Sequence, residues 1–410
     1  MNKRRIIWIE LLRIFACIGV IGIHAASQHF RDVPVNTSVW AVTNFYHGIN
    51  RFAVACFVMI SGCLYLDRKR TWNLKKLWMH NILPIAVAYV FWQVFYAFYR
   101  GLVNEGLKFG SAYFLKRFLV MISDSYFHLW YLPMLIGLLI ITPMLWEIVN
   151  SKNGKQWEEY MILLYLLFKL LPYTVKAFPI PCREHVVNLL NTVQPQMVTG
   201  FVGYYIAGHY LYQYGVSKKL EKLIYILGIV SISMGILFCY IRSQQTGTDV
   251  QKFYENYTIA AFLWGISVFL FFKNHVSKIK WNEKQEKRIC FVGSCTFGIF
   301  LIHVLVRSLL HKAGIDSMMI SNTFIAIPIV IALIFTLSFG AVVIIKKIPV
   351  LKKWIVWSVF FNHLDLEIIK RNMFYKTVLV KPGSGMTLKI SNIVVKPDRV
   401  FQVKFIADLL

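Results

Sequence analysis

The sequence predicts an all-α polytopic membrane protein of about ten transmembrane helices, both termini cytoplasmic, with a small β-like C-terminal tail. Three observations predict it. Of 410 residues, 57% are hydrophobic and only 16% charged, and the mean hydropathy is +0.56, far more apolar than a soluble globular chain. Apolar stretches of about 20 residues, the length that crosses hydrocarbon, recur along the chain. Basic residues gather at alternate ends of those stretches, as short cytoplasmic loops do.

The stretches run near 6–27, 46–66, 77–99, 127–149, 160–178, 197–214, 222–241, 257–273, 290–310 and 323–345. The first follows MNKRR and ends in small residues, as a signal peptide does, but Glu10 and Arg13 interrupt it, so it is expected to be retained as a span. The formal charge of +26 is spread over alternate loops: Lys3, Arg4 and Arg5; Arg68, Lys69, Arg70, Lys75 and Lys76; Lys152 and Lys155; Lys218, Lys219 and Lys222; Lys273 to Arg288; and Lys346 to Lys353. That distribution orients a membrane protein and argues against nucleic acid as a partner.

Six of the seven cysteines lie in apolar spans and Cys182 lies alone in an outer loop, so no disulfide framework or zinc spacing is expected. Residues 1–348 read as one membrane domain, 349–371 as a cytoplasmic linker and 372–410 as a short β-rich tail of unknown role. The tail alternates apolar and polar residues around the turn signals KPGSG and KPDR, which suggests three short antiparallel strands. GSAYFLKRFLVMISDSYF, between the third and fourth spans, reads as an amphipathic helix lying on the surface.

Charged and imidazole side chains inside spans are costly and need a reason. Arg13 and His24 lie eleven residues apart, which places them within about 20° of one helix face and roughly 16 Å apart along the axis. Arg13 either snorkels to the inner interface or faces a polar interior; His24 is either an interfacial cap or a site residue. His303 in FGIFLIHVLV, His128 opening HLWYLPMLIG and Arg51 fall at similar outer depth. Three histidines there suggest a wet cavity able to activate a hydroxyl. A metal site is not expected, because no helix carries two ligands one turn apart and no carboxylate clearly joins the cluster. On the inner side, Arg13, Ser61, Lys75, Lys76 and His80 could hold an anion such as the phosphates of coenzyme A. Equally, the lysines orient the chain and Ser61-Gly62 forms a packing notch. Trp40, Tyr46, Trp130 and Tyr131 could stack on a sugar or belong to an aromatic belt.

These motifs together resemble the membrane-bound acyltransferase 3 family, in its stand-alone O-acetyltransferase branch. Arg13, ten residues, then His24 is similar to that family's first-span motif; RFAVACFVMISGCLYL, YFHLWYLPMLIGLLIITPML and FGIFLIHVLV resemble three further signatures, in the expected order. The resemblance covers residues 1 to about 345. It implies an acyl-CoA-dependent O-acetyltransferase, multi-pass in a bacterial cell membrane. Acetyl-CoA or another acyl-CoA would be a donor substrate rather than a bound cofactor, and the acceptor a hydroxyl of a cell-envelope glycan or glycolipid. By carry-over His24 and Arg13 are the functional pair, with His303 and His128 as further catalytic candidates and Arg51, Trp130, Ser61, Lys75 and Lys76 as substrate-binding candidates. The chain departs from the family where WMHNILP carries Trp78 and Asn81 in place of an arginine pair. The alternative function is a small-molecule, amino-acid-like transporter, for which the sequence shows no inverted repeat.

Overall fold

A long apolar helix is stable in hydrocarbon because it satisfies its own backbone, so the fold is a problem of packing helices and repairing their breaks. The computed structural model describes residues 5–178, 183–193 and 195–348, together with four short strand segments beyond them. Two compact units divide the chain: Ile6–Val359, and a smaller one that gathers Met1–Arg5 with Phe360–Leu410.

The first unit is helical. In chain order its helices are α1 (Ile7–Ala26), α2 (Ser38–Ile49), α3 (Phe52–Tyr65), α4 (Leu74–Leu77), α5 (Leu83–Tyr99), α6 (Ala112–Ser123), α7 (Tyr131–Val149), α8 (Gly154–Tyr165), α9 (Leu171–Ala177), α10 (Arg183–Val193), α11 (Val202–Gln213), α12 (Lys218–Thr246), α13 (Ile259–Asn274), α14 (Glu283–Gly293), α15 (Thr296–Lys312) and α16 (Thr323–Ile345). Side chains at their starts absorb orphaned amides: Thr37, Ser111, Ser217, Thr258 and Asn282 each accept a backbone N–H.

Among the described residues, eight helical stretches are long and apolar enough to cross a membrane, or nine if the bent pair α14–α15 is one span. The multi-pass helical architecture is therefore as the sequence predicts, but the count of ten is corrected. The expected sixth span, 197–214, is mostly α11, whose 12 residues reach about 18 Å against roughly 30 Å of hydrocarbon. Its side chains are buried almost throughout, so its apolar character reflects packing inside the bundle.

That packing is close. A Cβ on Gly62 would lie 1.8 Å from the Tyr205 carbonyl oxygen, and one on Gly208 would lie 2.2 Å from that of Met59. The Cys63 thiol donates to the Gly208 carbonyl at 3.0 Å. Ser61 donates back to the Phe57 carbonyl at 2.9 Å and is fully buried, so the packing-notch reading describes Ser61-Gly62.

α1 lies at the centre, against α2, α3, α13, α14, α15 and α16. The α14–α15 pair bends by 53°, which frees carbonyl groups that need donors. Thr296 Oγ1 donates to the Gly293 carbonyl at 2.8 Å, Lys346 Nζ to that of Ser294 at 2.7 Å, and the Cys17 thiol to that of Thr296 at 3.8 Å. The predicted surface helix is α6. Its Phe114 and Met121 are buried while Lys116 and Arg117 stay outside, and Arg117 pairs with Glu105 at 3.0 Å.

In the second unit, β1 (Thr377–Val378) pairs antiparallel with β4 (Val403–Lys404), and β2 (Leu388–Ile390) with β3 (Ile393–Val395). Among the described residues the strand segments are four, in two pairs, where the sequence suggests three. In the β2–β3 register Ile390 lies opposite Ile393. Residues 349–371 and Cys182 lie outside the described residues.

The notch gives a direct test. Gly62→Val should cost about 3 kcal/mol and lower the melting temperature of purified protein by about 6 °C or more. Gly137→Ala, with nothing within 4 Å of the added methyl, should leave it unchanged or slightly higher.

Candidate active site

Three spans bring three imidazoles together. His24 is one turn from the end of α1, His303 is midway along α15, and His128 sits in the turn that opens α7. The ring centroids are 5.2 Å apart for His24–His303, 5.3 Å for His128–His303 and 6.5 Å for His24–His128. His128 and His303 are 1% and 0% exposed, whereas His24 is half-buried, the most exposed of the three residues.

Each ring is placed by its own supports. His303 Nδ1 donates to the Phe300 carbonyl at 2.7 Å, which fixes the tautomer and leaves Nε2 with a lone pair. That Nε2 is buried and has no hydrogen-bond partner. His128 is brought in by Gln93, a buried polar residue of α5. Its amide nitrogen donates to the Met121 and Asp124 carbonyls, each at 2.9 Å, and its oxygen accepts the Tyr126 N–H at 3.0 Å. The segment so held carries Tyr126, Phe127 and His128. Tyr126 stacks on Tyr96 with centroids 4.5 Å apart, and the Tyr96 hydroxyl donates to the Leu301 carbonyl at 2.7 Å.

Arg307 completes the cluster, and the sequence reading did not single it out. Its Nη1 donates to the His24 carbonyl at 2.8 Å, its guanidinium lies 5.5 Å from the Phe127 ring centroid, and its Nε is buried without a partner. The signal was present, because Arg307 follows His303 by four residues and so shares its helix face. Gln93, a lone amide in FWQVFY, was equally visible.

Arg13 lies inside the bundle, one of the two readings the sequence leaves open. It is buried at 2% exposure and pairs with Glu10, one turn earlier on α1, at 2.9 Å. The Glu10 carboxylate in turn lies against the α14–α15 break: a Cβ on Gly293 would fall 2.2 Å from Glu10 Oε2. The pair thus joins the first helix to the break that precedes the His303 helix.

The other substrate-binding candidates divide. Arg51 donates to His47 Nε2 at 3.1 Å, His47 Nδ1 meets the Tyr254 hydroxyl at 3.2 Å, and Tyr254 donates to Asn44 Oδ1 at 2.8 Å. This is a buried network joining α2 to the segment before α13, and the three histidines are not part of that chain of bonds. Trp130 is 37% exposed and stacks on Phe201 at 5.5 Å, while Trp40 is fully buried and offers no platform. Lys75 and His80 are exposed and Lys76 half-buried, on α4 and the π-helical turn after it. Where the chain has Asn81, the amide donates to the Tyr65 hydroxyl at 3.3 Å, and Arg70 lies over Tyr65 and Trp72 at 4.5 and 5.6 Å from their centroids. Arg70 is therefore a cation close to Asn81 that the sequence reading did not consider for this role.

The ion pair predicts a thermodynamic signature. Glu10→Ala, which leaves Arg13 buried without its carboxylate, should cost about 3–5 kcal/mol, and Glu10→Ala/Arg13→Met should recover much of it. Denaturation of the single and double variants in detergent measures the coupling.

The fold and this cluster accord with one family model, that of the acyltransferase 3 family, described as an acyltransferase domain, which matches residues 6–343. No curated protein and no solved structure matches the chain. The match covers most of the sequence and every residue of the histidine cluster, so the chain belongs to the acyltransferase 3 family and is a multi-pass membrane acyltransferase.

Proposed function

We propose that the protein is an O-acyltransferase that moves an acyl group, acetyl by preference, from acyl-CoA to a hydroxyl of a cell-envelope glycan or glycolipid, in a bacterial plasma membrane. The observation that carries this reading is the His24–His128–His303 cluster, three imidazoles within 6.5 Å by ring centroid, beside the Arg307 guanidinium. Acyl transfer to an alcohol needs a base for the hydroxyl proton and a donor for the oxyanion, and the cluster contains both residue types.

In this reading His24, the most exposed of the three residues, takes the acceptor proton as the alkoxide oxygen attacks the thioester carbonyl. Arg307, with Nε unspent, steadies the oxyanion of the tetrahedral intermediate. Collapse forms the ester and expels the coenzyme A thiolate, which takes back the proton from His24. His303, with Nδ1 committed to Phe300, and His128 share the transferred proton and hold the His24 ring. Arg13 serves by position, through Glu10 and the α14–α15 break. Arg70, with Lys75 and Lys76, meets the donor phosphates, as guanidinium and ammonium groups do. The transporter alternative has no support from the family match.

His24→Ala should insert and fold normally while acyl transfer falls by about 10²–10⁴-fold. Arg307→Ala should lose about 10²–10³-fold in kcat, with Arg307→Lys partly restored. Thiol release from acetyl-CoA by purified protein, with mass spectrometry of envelope glycans from cells expressing each variant, measures both; retained transfer in His24→Ala would remove that ring from the mechanism.

A further inference from the structure

A second imidazole group lies beyond the first, at the far ends of the same two helices. His29 closes the 3-10 turn that follows α1, His311 is in the last turn of α15, and Asp316 lies in the loop before α16. His29 Nε2 is 3.1 Å and His311 Nδ1 2.8 Å from the same Asp316 Oδ2, and the ligand atoms of all three residues lie within 4.8 Å of one another. We propose that these three side chains form a binding site for a divalent transition-metal ion of the zinc class.

Two imidazole nitrogens and one carboxylate oxygen are a zinc donor set, with a water in the fourth position. The His29 and Asp316 side chains are 14% and 13% exposed, while His311 is 48% exposed, which leaves one side open for water and for metal entry. His29 Nε2 is buried and makes no aligned hydrogen bond despite its closeness to the carboxylate. Its other nitrogen lies 3.8 Å from Oδ2 of the exposed Asp32. Asp316 Oδ1 accepts the Met318 N–H at 2.8 Å, so Oδ2 is the oxygen turned to the histidines.

The site lies apart from the reaction centre. His311 follows His303 by eight residues, about 12 Å along the helix. A bound ion would staple α1 to α15 and thereby fix the spacing of His24 and His303.

The test uses the full chain in lipid nanodiscs, stripped with EDTA and then given zinc chloride or cobalt chloride alone. About one equivalent of metal per chain should be retained after desalting, zinc should raise the melting temperature by about 5 °C, and cobalt should give the intense visible bands of a four-coordinate site. All three should be lost in His311→Ala and Asp316→Asn and kept in His275→Ala, another partly exposed histidine. If Asp316→Asn does not fold, the half-exposed His311 variant carries the comparison. Zinc that leaves the melting temperature of the native chain unchanged would overturn the proposal. So would metal content no higher than that of His311→Ala; the three residues would then be a hydrogen-bonded clamp only.

Discussion

An ion pair inside a helix bundle, Glu10 with Arg13, is the constraint on which the rest of the arrangement depends. Two opposite charges one turn apart on α1 neutralise each other at 2.9 Å, and the carboxylate is pressed onto Gly293 where α14 gives way to α15. Buried pairs add little net stability, because desolvation offsets attraction, but they penalise any arrangement that separates them. Here the pair lies against the break from which α15 leaves, and α15 carries His303, Arg307 and His311. Lys346 and Thr296 complete the repair by taking the carbonyls the bend exposes.

From that junction the histidine cluster follows. α1 and α15 run alongside each other and are tied again where Arg307 binds the His24 carbonyl. The third ring arrives from another direction, on a segment that Gln93 holds by both ends of its amide. A reacting group can be held within a few tenths of an ångström only when its own rotamer is fixed by such partners. His303 shows this most directly, since the Phe300 carbonyl selects which nitrogen bears the proton.

Much of this was legible in the sequence, and the limits have physical causes. The helix period and the wish of charge to avoid lipid placed His24, His128 and His303 at one depth, and the structure brings them together. Depth does not say which residue partners which. Depth and face place Arg13 in the interior, but they do not show that Glu10, three residues away on the adjacent turn, pairs with it. Arg51 was grouped by depth with the histidines but is tied into the His47–Tyr254–Asn44 network, which depends on a contact more than 200 residues distant in sequence. α11 was counted as a span because apolar length alone cannot separate a helix that faces lipid from one enclosed by other helices. The His29–His311–Asp316 group is not visible in the sequence, because its residues come from three separate segments and spacing rules detect only groups that share one.

The central claim is that the three-imidazole cluster is the place where donor carbon and acceptor oxygen meet. A cryo-electron microscopy map of the protein with an unreactive thioether analogue of acetyl-CoA tests it most directly. The account predicts the acyl carbon within about 4 Å of the His24 ring, near-attack distance for a bound hydroxyl, with the phosphates toward Arg70. Density that ends outside the bundle, or that places the acyl carbon among side chains away from His24, His128 and His303, would contradict it.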